Sequence, residues 1–343
     1  MSDMSHHQFS TRLIHVAEGA APGAQPLTTP IYSTSTFVFD STADLQAHLD
    51  GETDTYLYSR YANPTLTSLE EKLASAEEGD AALVFGSGMG AIASALMGLV
   101  SAGDHVVCSS SIYGGTLHLL HGLLARFGVT TTFIDHEASR DPRHAFTPQT
   151  KLFWFESPTN PTLRCVDIAR VAEACRAAGV TSVIDNTFAT PYNQQPLTLG
   201  IDLVMHSLTK YLNGHSDVTA GALVGDTARI AAIEPARKLL GTMLDPAAGF
   251  LVGRGLKTLD VRMQRHNANA LAVAEALGSL SGVAAVHYPG LASHPDHAIA
   301  AAQMRGFGGM VTIDVRDGQE AAFRAFDRLQ VIKRATSLGG VES

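Results

Sequence analysis

The chain has 343 residues, of which 45% are hydrophobic and 17% are charged, and its formal net charge at pH 7 is −9. This length and composition predict a large globular core divided into more than one domain. The negative balance and the lack of a Lys/Arg stripe argue against nucleic acid as a partner.

Cysteine usage and hydropathy favour a cytoplasmic protein. Cys108, Cys165 and Cys175 are odd in number and lack metal-ligand spacing, which favours buried thiols in a reducing compartment and no metal site. The most apolar stretch, residues 91–103, is too short and too rich in Ala and Gly for a membrane span, and residues 1–10 lack a signal-peptide core. We therefore expect no membrane partner.

The first predicted unit is an N-terminal arm, residues 1–58. It shows no sustained hydrophobic periodicity and contains the turn-rich stretch APGAQPLTTP at 21–30. Such a segment predicts an extended arm that lies on another surface.

Helical patterns then alternate with short apolar runs, and this alternation predicts an α/β domain over residues 59–245. Helix-like patterns occupy 112–128 and 167–179. Because the apolar runs are continuous, we predict a mostly parallel seven-stranded sheet with helices on both faces. Ligands of such sheets bind beyond the carboxyl ends of the strands. The seven runs are AALVF, HVVCSS, TTTFID, KLFWFES, TSVIDN, DLVMHS and GALVG.

The remaining residues, 246–343, predict a smaller α+β domain. Residues 246–277 form a long amphipathic pattern, and MVTIDVRDG at 310–318 alternates like a half-buried antiparallel strand.

A glycine turn between a strand and a helix, within residues 82–96, predicts an anion site at the amides of Gly88 and Met89. Gly86, Gly88 and Ala91 also satisfy a dinucleotide-binding pattern, but the next strand ends in serines instead of the required acid. A phosphate site is therefore favoured, and a structural turn is the alternative.

Two charged residues follow buried strands farther along the chain. Taken alone, Asp185 is typical of a helix cap or loop acid, and Lys210 is typical of a solvated surface lysine. Together with the phosphate site they indicate pyridoxal 5′-phosphate, which requires a lysine for a Schiff base and an acid for its protonated ring nitrogen.

Seven ordered blocks then resemble the Cys/Met-metabolism pyridoxal-phosphate enzymes, the group of cystathionine γ-synthase, cystathionine γ-lyase and methionine γ-lyase. The resemblance covers essentially the whole chain and implies the fold type I architecture of pyridoxal-phosphate transferases. The blocks are YSRYANPT (58–65), GSGMGA (86–91), YGGT (113–116), ESPTNP (156–161), IDNTFATP (184–191), HSLTKYLNGHSD (206–217) and SLGGVES (337–343).

The resemblance implies roles for individual residues. Lys210 would form the Schiff base and Asp185 would bind the pyridine nitrogen. Tyr113 would stack on the cofactor ring and act as an acid or base near the departing atom. The further implied cofactor contacts are Ser207, Thr209, Gly88 and Met89 at the phosphate and Asn160 near the phenolic oxygen.

The resemblance also implies a shared site. Tyr58 and Arg60 would reach the phosphate of a neighbouring subunit within a homotetramer built as a dimer of dimers, which would give the N-terminal arm its surface. Ser337 would contact the substrate carboxylate.

The implied reaction is β- or γ-elimination or γ-replacement on a sulfur amino acid or an O-acyl-homoserine. Methionine γ-lyase and O-acetylhomoserine sulfhydrylase activities stay open. Residue 115 is Gly, as in cystathionine enzymes, whereas Thr336 stands where those enzymes often carry Glu, so the two positions point in opposite directions.

Other outcomes are also open. An aminotransferase would need the same lysine and acid but not the first and last blocks. The chain ends before the arginine with which relatives bind the substrate carboxylate, so we also consider a truncated homologue that binds the cofactor but turns over poorly, or serves as a structural subunit.

Overall fold

The computed structural model describes residue 4, residues 6–19 and residues 24–342. Parts of the predicted arm, including the start of the 21–30 stretch, lie outside these residues, as does the final serine of the 337–343 block. The strands are β1 (Ala81–Phe85), β2 (His105–Ser109), β3 (Thr130–Ile134), β4 (Thr150–Glu156), β5 (Thr181–Asp185), β6 (Leu203–Ser207), β7 (Gly221–Gly225), β8 (Val283–His287) and β9 (Thr312–Val315). The helices are α1 (Phe9–His15), α2 (Thr42–Leu49), α3 (Pro64–Glu77), α4 (Gly88–Leu99), α5 (Gly114–His118), α6 (His136–Ser139), α7 (Ile168–Ala178), α8 (Thr190–Asn193), α9 (Thr227–Leu240), α10 (Pro246–Leu256), α11 (Leu259–Gly278), α12 (His297–Gln303) and α13 (Gly318–Asp327).

Strands β1 to β7 form one sheet in the order β1-β7-β6-β5-β4-β2-β3. Strands β2 to β6 pair in parallel, and β7 runs antiparallel to both β1 and β6. This confirms the predicted mostly parallel seven-stranded sheet.

Both faces of the sheet are covered, which explains the continuous apolar runs. On β4, Trp154 packs in one hydrophobic cluster with α4, whereas its neighbours Phe153 and Phe155 pack in another with α7. All three side chains are at most 1% exposed.

The second sheet is small and confirms the α+β character predicted for the C-terminal region. Strands β8 and β9 pair antiparallel, and α11 packs against β8. The amphipathic pattern at 246–277 forms α10 and α11. The boundaries at 58/59 and 245/246 stay predictions.

The prediction of a wholly extended arm is wrong, because the described part contains α1 and α2. Helix α1 has only seven residues, too few for a clear periodic signal. It is held by its own chain: Leu13 is 1% exposed, and Arg12 Nη1 donates to Ser75 O at 2.6 Å at the end of α3. By contrast, Leu27 and Val38 are 96% and 94% exposed in the single chain.

The helix predicted over 112–128 is broken into three helical types. α5 is followed by a π-helical turn at Leu119–Leu123 and a 3-10 turn at Leu124–Phe127. The segment ends at Gly128, whose φ of 80° lies in the left-handed region that favours glycine.

Within the described residues, no helix combines the length and hydropathy needed to cross a bilayer. The three cysteines are free and buried.

A buried charge cluster joins the loop before α12 to the main domain. The Asp296 side chain is fully buried, and it accepts from Arg164 Nε at 2.6 Å and Arg140 Nη2 at 2.6 Å. It also accepts from the backbone N–H of Cys165 at 2.9 Å. The contacts from His136, Arg164 and Cys165 outweigh burial and hold the pKa of the Asp296 carboxyl well below its ordinary value.

We expect D296N to lower the free energy of unfolding by about 3 kcal/mol at neutral pH, because it breaks a buried, hydrogen-bonded ion pair. A carboxyl with a depressed pKa contributes stability above its unfolded pKa and loses it as pH falls. The difference in unfolding free energy between wild type and D296N should therefore be largest above about pH 5 and decrease at lower pH. Urea unfolding across pH measures this, and an unchanged difference at pH 3 would contradict it.

Candidate active site

A cavity of about 340 Å³ lies at the carboxyl ends of the central strands, where the sheet rule predicts a ligand. It is lined by most of the residues that the sequence singled out: Gly88, Met89, Tyr113, Asn160, Asp185, Ser207, Thr209 and Lys210. Thr336 and Leu338, from the C-terminal segment, close one side. The separate motifs thus converge on one pocket.

The N-terminus of α4 forms the anion-binding side of the cavity. Ser87 caps the helix by accepting from Gly90 N at 2.9 Å, so the amides of Gly88 and Met89 stay directed toward the pocket mouth. A Cβ at Gly88 would meet Ser207 Cβ at 3.3 Å. The absence of a side chain there lets the helix end approach β6 closely enough for both to contact one phosphate.

Two hydroxyl residues, Ser207 at the end of β6 and Thr209 just after it, also line the cavity. Ser207 N donates to Thr187 Oγ1 at 2.8 Å, which fixes the strand end. Thr209 Oγ1 donates to Ala220 O at 3.2 Å and accepts from Ala220 N at 3.0 Å. The Thr209 hydroxyl therefore donates to the backbone just before β7, and it must rotate before it can donate to an anion.

Asp185 is the last residue of β5 and lies half-buried in the cavity wall. Its Oδ1 accepts from Thr187 N at 3.0 Å. Burial raises the pKa of this carboxyl, and the Thr187 hydrogen bonds and His206 partly oppose that rise. A cation placed against Asp185 would relieve the desolvation.

Lys210 lies in the turn after β6. Its Nζ donates to Ser337 Oγ at 3.0 Å, and burial lowers the pKa of the ammonium. The turn is braced by Gly339 (φ 79°), where a Cβ would stand 2.5 Å from Tyr211 N. The C-terminal segment therefore seats against the lysine and makes its neutral form more accessible.

Tyr113 precedes α5, and its side chain is 49% exposed toward the cavity mouth. A Cβ at Gly115 would lie 2.4 Å from Tyr113 Cε1 and 2.6 Å from Met89 Sδ. The Tyr113 ring can therefore lie in this position only because residue 115 has no side chain.

Tyr58 and Arg60 are not among the residues that line the cavity. Arg60 Nη1 donates to Lys238 O at 2.7 Å, and its guanidinium stacks over the Tyr61 ring at 4.7 Å. The cavity of one chain contains no contribution from either residue. Their predicted role toward a neighbouring subunit stays a prediction.

The residue-by-residue prediction omitted Glu156, Thr187 and Phe188, which also line the cavity. Glu156 is the last residue of β4 and lies opposite Asp185 in the β4–β5 register. The signal that selected Asp185, an acid at the end of a buried strand, also applies to Glu156 and could have found it.

The donor set fits pyridoxal 5′-phosphate. Helix amides and a glycine that admits close approach could hold a phosphate, an amine with a lowered pKa could bond to an aldehyde, and a desolvated carboxylate suits a protonated ring nitrogen. The wall also includes the apolar side chains of Ile92, Phe188 and Met205. These are the groups that a phosphorylated aromatic aldehyde requires.

Comparisons with known proteins agree with this geometry. The family described as "Cys/Met metabolism PLP-dependent enzyme" matches residues 10–343. L-methionine gamma-lyase of Pseudomonas putida is 43% identical over 98% of this chain and 85% of its own length. Cystathionine gamma-synthase of Mycobacterium leprae (strain TN) is 43% identical over 98% and 86%. The crystal structure of metB from Corynebacterium glutamicum superposes with a TM-score of 0.94 at 39% identity, over 99% of this chain and 87% of that one.

Proposed function

Because the chain belongs to the Cys/Met-metabolism PLP-dependent enzyme family, we propose that it catalyses elimination or replacement at the γ carbon of an amino acid with a sulfur or acyloxy leaving group. The cofactor is pyridoxal 5′-phosphate, and the activity is that of a carbon-sulfur lyase or a γ-replacement transferase. The observation that carries the proposal is the placement of Lys210 and Asp185 in one cavity with the N-terminus of α4.

When bound, pyridoxal phosphate supplies an aldehyde that bonds to amines and a ring that accepts the electron pair released from the substrate. Lys210 Nζ would hold the cofactor through its aldehyde and, once the substrate amine has displaced it, would take the proton from the substrate α carbon. Burial lowers the pKa of Lys210, so its neutral form is accessible at a smaller cost. Asp185 would hold a negative charge against the protonated ring nitrogen.

Other residues bind and orient. The amides of Gly88 and Met89, with Ser207 and Thr209, hold the phosphate. The Tyr113 hydroxyl would move a proton to the departing atom, and Asn160 would orient the phenolic oxygen of the cofactor. Ser337, which contacts Lys210 Nζ at 3.0 Å, would contact the substrate carboxylate.

The choice among substrates rests on the cavity wall, since the lyase and synthase relatives are equally similar at 43% identity. Thr336, a neutral residue, lines the cavity on the C-terminal side. The acids in the wall, Asp185 and Glu156, end the neighbouring strands β5 and β4, and Asp185 would face the ring nitrogen. A substrate without a distal ammonium, such as O-acetylhomoserine or methionine, therefore fits better than cystathionine. Gly115 is the one residue that favours cystathionine, because the resemblance associates glycine at this position with the cystathionine enzymes.

A substrate panel tests this function. The loaded protein is supplied separately with O-acetylhomoserine plus a thiol, with methionine and with cystathionine, and 2-oxo acid and thioether products are quantified. We expect turnover of an uncharged-tail substrate to exceed that of cystathionine. T336E should shift the preference toward cystathionine by restoring a charge-assisted partner for its distal ammonium. Bound cofactor with no product from any of the three would contradict the proposed activity.

We also propose that the site is completed by a second copy of the chain within a homotetramer. The proposal is supported by the position of Tyr58 and Arg60 outside their own cavity and by the exposed apolar residues of the arm. A cytoplasmic location stays a prediction, as do the domain boundaries.

Mixing of variant subunits distinguishes a site built from two chains from a site built from one chain. R60A and K210A should each be strongly impaired, yet mixed dimers should regain one intact site, giving on the order of a quarter of wild-type activity after random mixing. Activity is measured after the two variants are co-refolded or co-expressed. If no activity returns, Arg60 acts in the site of its own chain.

A further inference from the structure

Two carboxylates stand side by side in the cavity, and the proposed mechanism uses only one of them. Glu156 and Asp185 end neighbouring parallel strands and are register partners, so their side chains leave the same face of the sheet. Glu156 is 7% exposed and lines the same pocket as Asp185. Two negative charges this close, out of water, cannot both form without a large cost.

Glu156 is tied to the loops that carry the ring-side residues. Its Oε1 accepts from the backbone N–H of Tyr113 at 2.5 Å, and the backbone N–H of Asn160 also donates to the carboxyl group. Tyr113 and Asn160 both line the cavity. One acid therefore sets the start of α5 and the loop after β4 relative to each other.

No basic side chain is recorded in contact with Glu156 within the described residues. His206, on β6, acts on Asp185, and its Nε2 is already 2.5 Å from Glu77 Oε1 at the end of α3. Cys108, on β2, is a neutral thiol whose own pKa is raised well above its ordinary value by burial. Lys210 Nζ is bonded to Ser337.

The electrostatic environments of the two acids therefore differ. Burial and then repulsion from Asp185 raise the pKa of Glu156 well above its ordinary value, against the two backbone N–H groups. For Asp185, burial is opposed by the Thr187 hydrogen bonds and by His206. The nearby imidazole favours a negative charge on Asp185 over one on Glu156.

We propose that Glu156 is a positioning residue that retains the proton of the carboxylate pair. Its side-chain oxygen Oε1 accepts from the Tyr113 backbone N–H and holds that backbone in place, and Asp185 alone presents a negative charge to the cofactor. This inference rests on the proposed function in one respect, since that function supplies the ring nitrogen as the partner of Asp185.

The first test uses the chain without cofactor and follows the unfolding temperature of wild type and E156Q from pH 5 to pH 9. A carboxyl with a raised pKa contributes stability at low pH and loses it as pH rises through that pKa. E156Q imitates the protonated acid, so we expect its unfolding temperature to rise by a few °C relative to that of wild type as pH increases. E320Q is the matched control, since Glu320 is 93% exposed on α13 and loses the same charge.

A loss of stability by E156Q relative to wild type that grows with pH would overturn the proposal, because it would show that the ionised acid stabilises the fold. This measurement needs no cofactor, so its outcome is independent of the proposed activity. A wild-type protein that binds no pyridoxal phosphate would instead refute the proposed function and leave the Glu156 result standing.

The second test uses the loaded protein and compares E156A with E156Q. Removing the acceptor for the Tyr113 amide should lower kcat by about 10-fold or more in E156A, and E156Q should recover most of that loss. The pH dependence of the bound-cofactor absorbance should keep its wild-type midpoint in E156Q. A shifted midpoint, or an E156Q as impaired as E156A, would overturn the proposal. If E156A fails to fold, the two E156Q titrations decide.

Discussion

Replacing Lys210 with alanine is expected to remove covalent attachment of the cofactor and to lower kcat/KM by at least ~10³-fold, because one side chain supplies both the amine and the base. The phosphate contacts at Gly88 and Met89 remain, so pyridoxal phosphate should still bind noncovalently. Borohydride reduction followed by peptide mapping should place the label on Lys210 in wild type and find none in K210A.

The matched control is K151A, which removes an exposed lysine from β4 of the same sheet. It should keep the wild-type absorbance and turnover. A borohydride label on a lysine other than 210, or K210A with more than a few per cent of wild-type activity, would contradict the assignment.

Much of the main domain could be predicted from sequence because its strands are buried on both faces. That burial makes each strand a short, continuous apolar run, as in β2 and β4, and the carboxyl-end rule then places Asp185 and Lys210 in one crevice. In the smaller domain, β9 was predictable because its sequence alternates apolar and polar residues, whereas β8 was not identified.

Features set by tertiary contacts were less predictable. Helix α1 depends on Leu13 packing against α3, and seven residues are too few for a periodic signal. The break in the 112–128 helix depends on local hydrogen-bond geometry that hydrophobic spacing does not encode. Glu156 ends a buried strand and could have been found by the signal that selected Asp185, but its pairing with Asp185 depends on the register between strands.

Conversion of Asp185 to asparagine should lower kcat by ~10²-fold or more while leaving covalent attachment to Lys210 intact. An asparagine keeps the side-chain oxygen that accepts from Thr187 N, so the local fold is maintained. It cannot hold the negative charge that keeps a proton on the ring nitrogen, and the ring then accepts electrons poorly. The measurement is single-turnover kinetics with the absorbance of the bound cofactor.

The pH dependence of cofactor binding provides a second test of the role of Asp185. Burial raises the pKa of Asp185 in the chain without cofactor, so cofactor affinity should fall as acid protonates this group. D185N should lose that dependence. D202N is the control at the opposite end of the sheet, where Asp202 accepts from Ser182 N and Oγ at 2.8 Å. It should reduce stability and spare kcat, and a D185N protein with wild-type kcat would show that another group holds the ring proton.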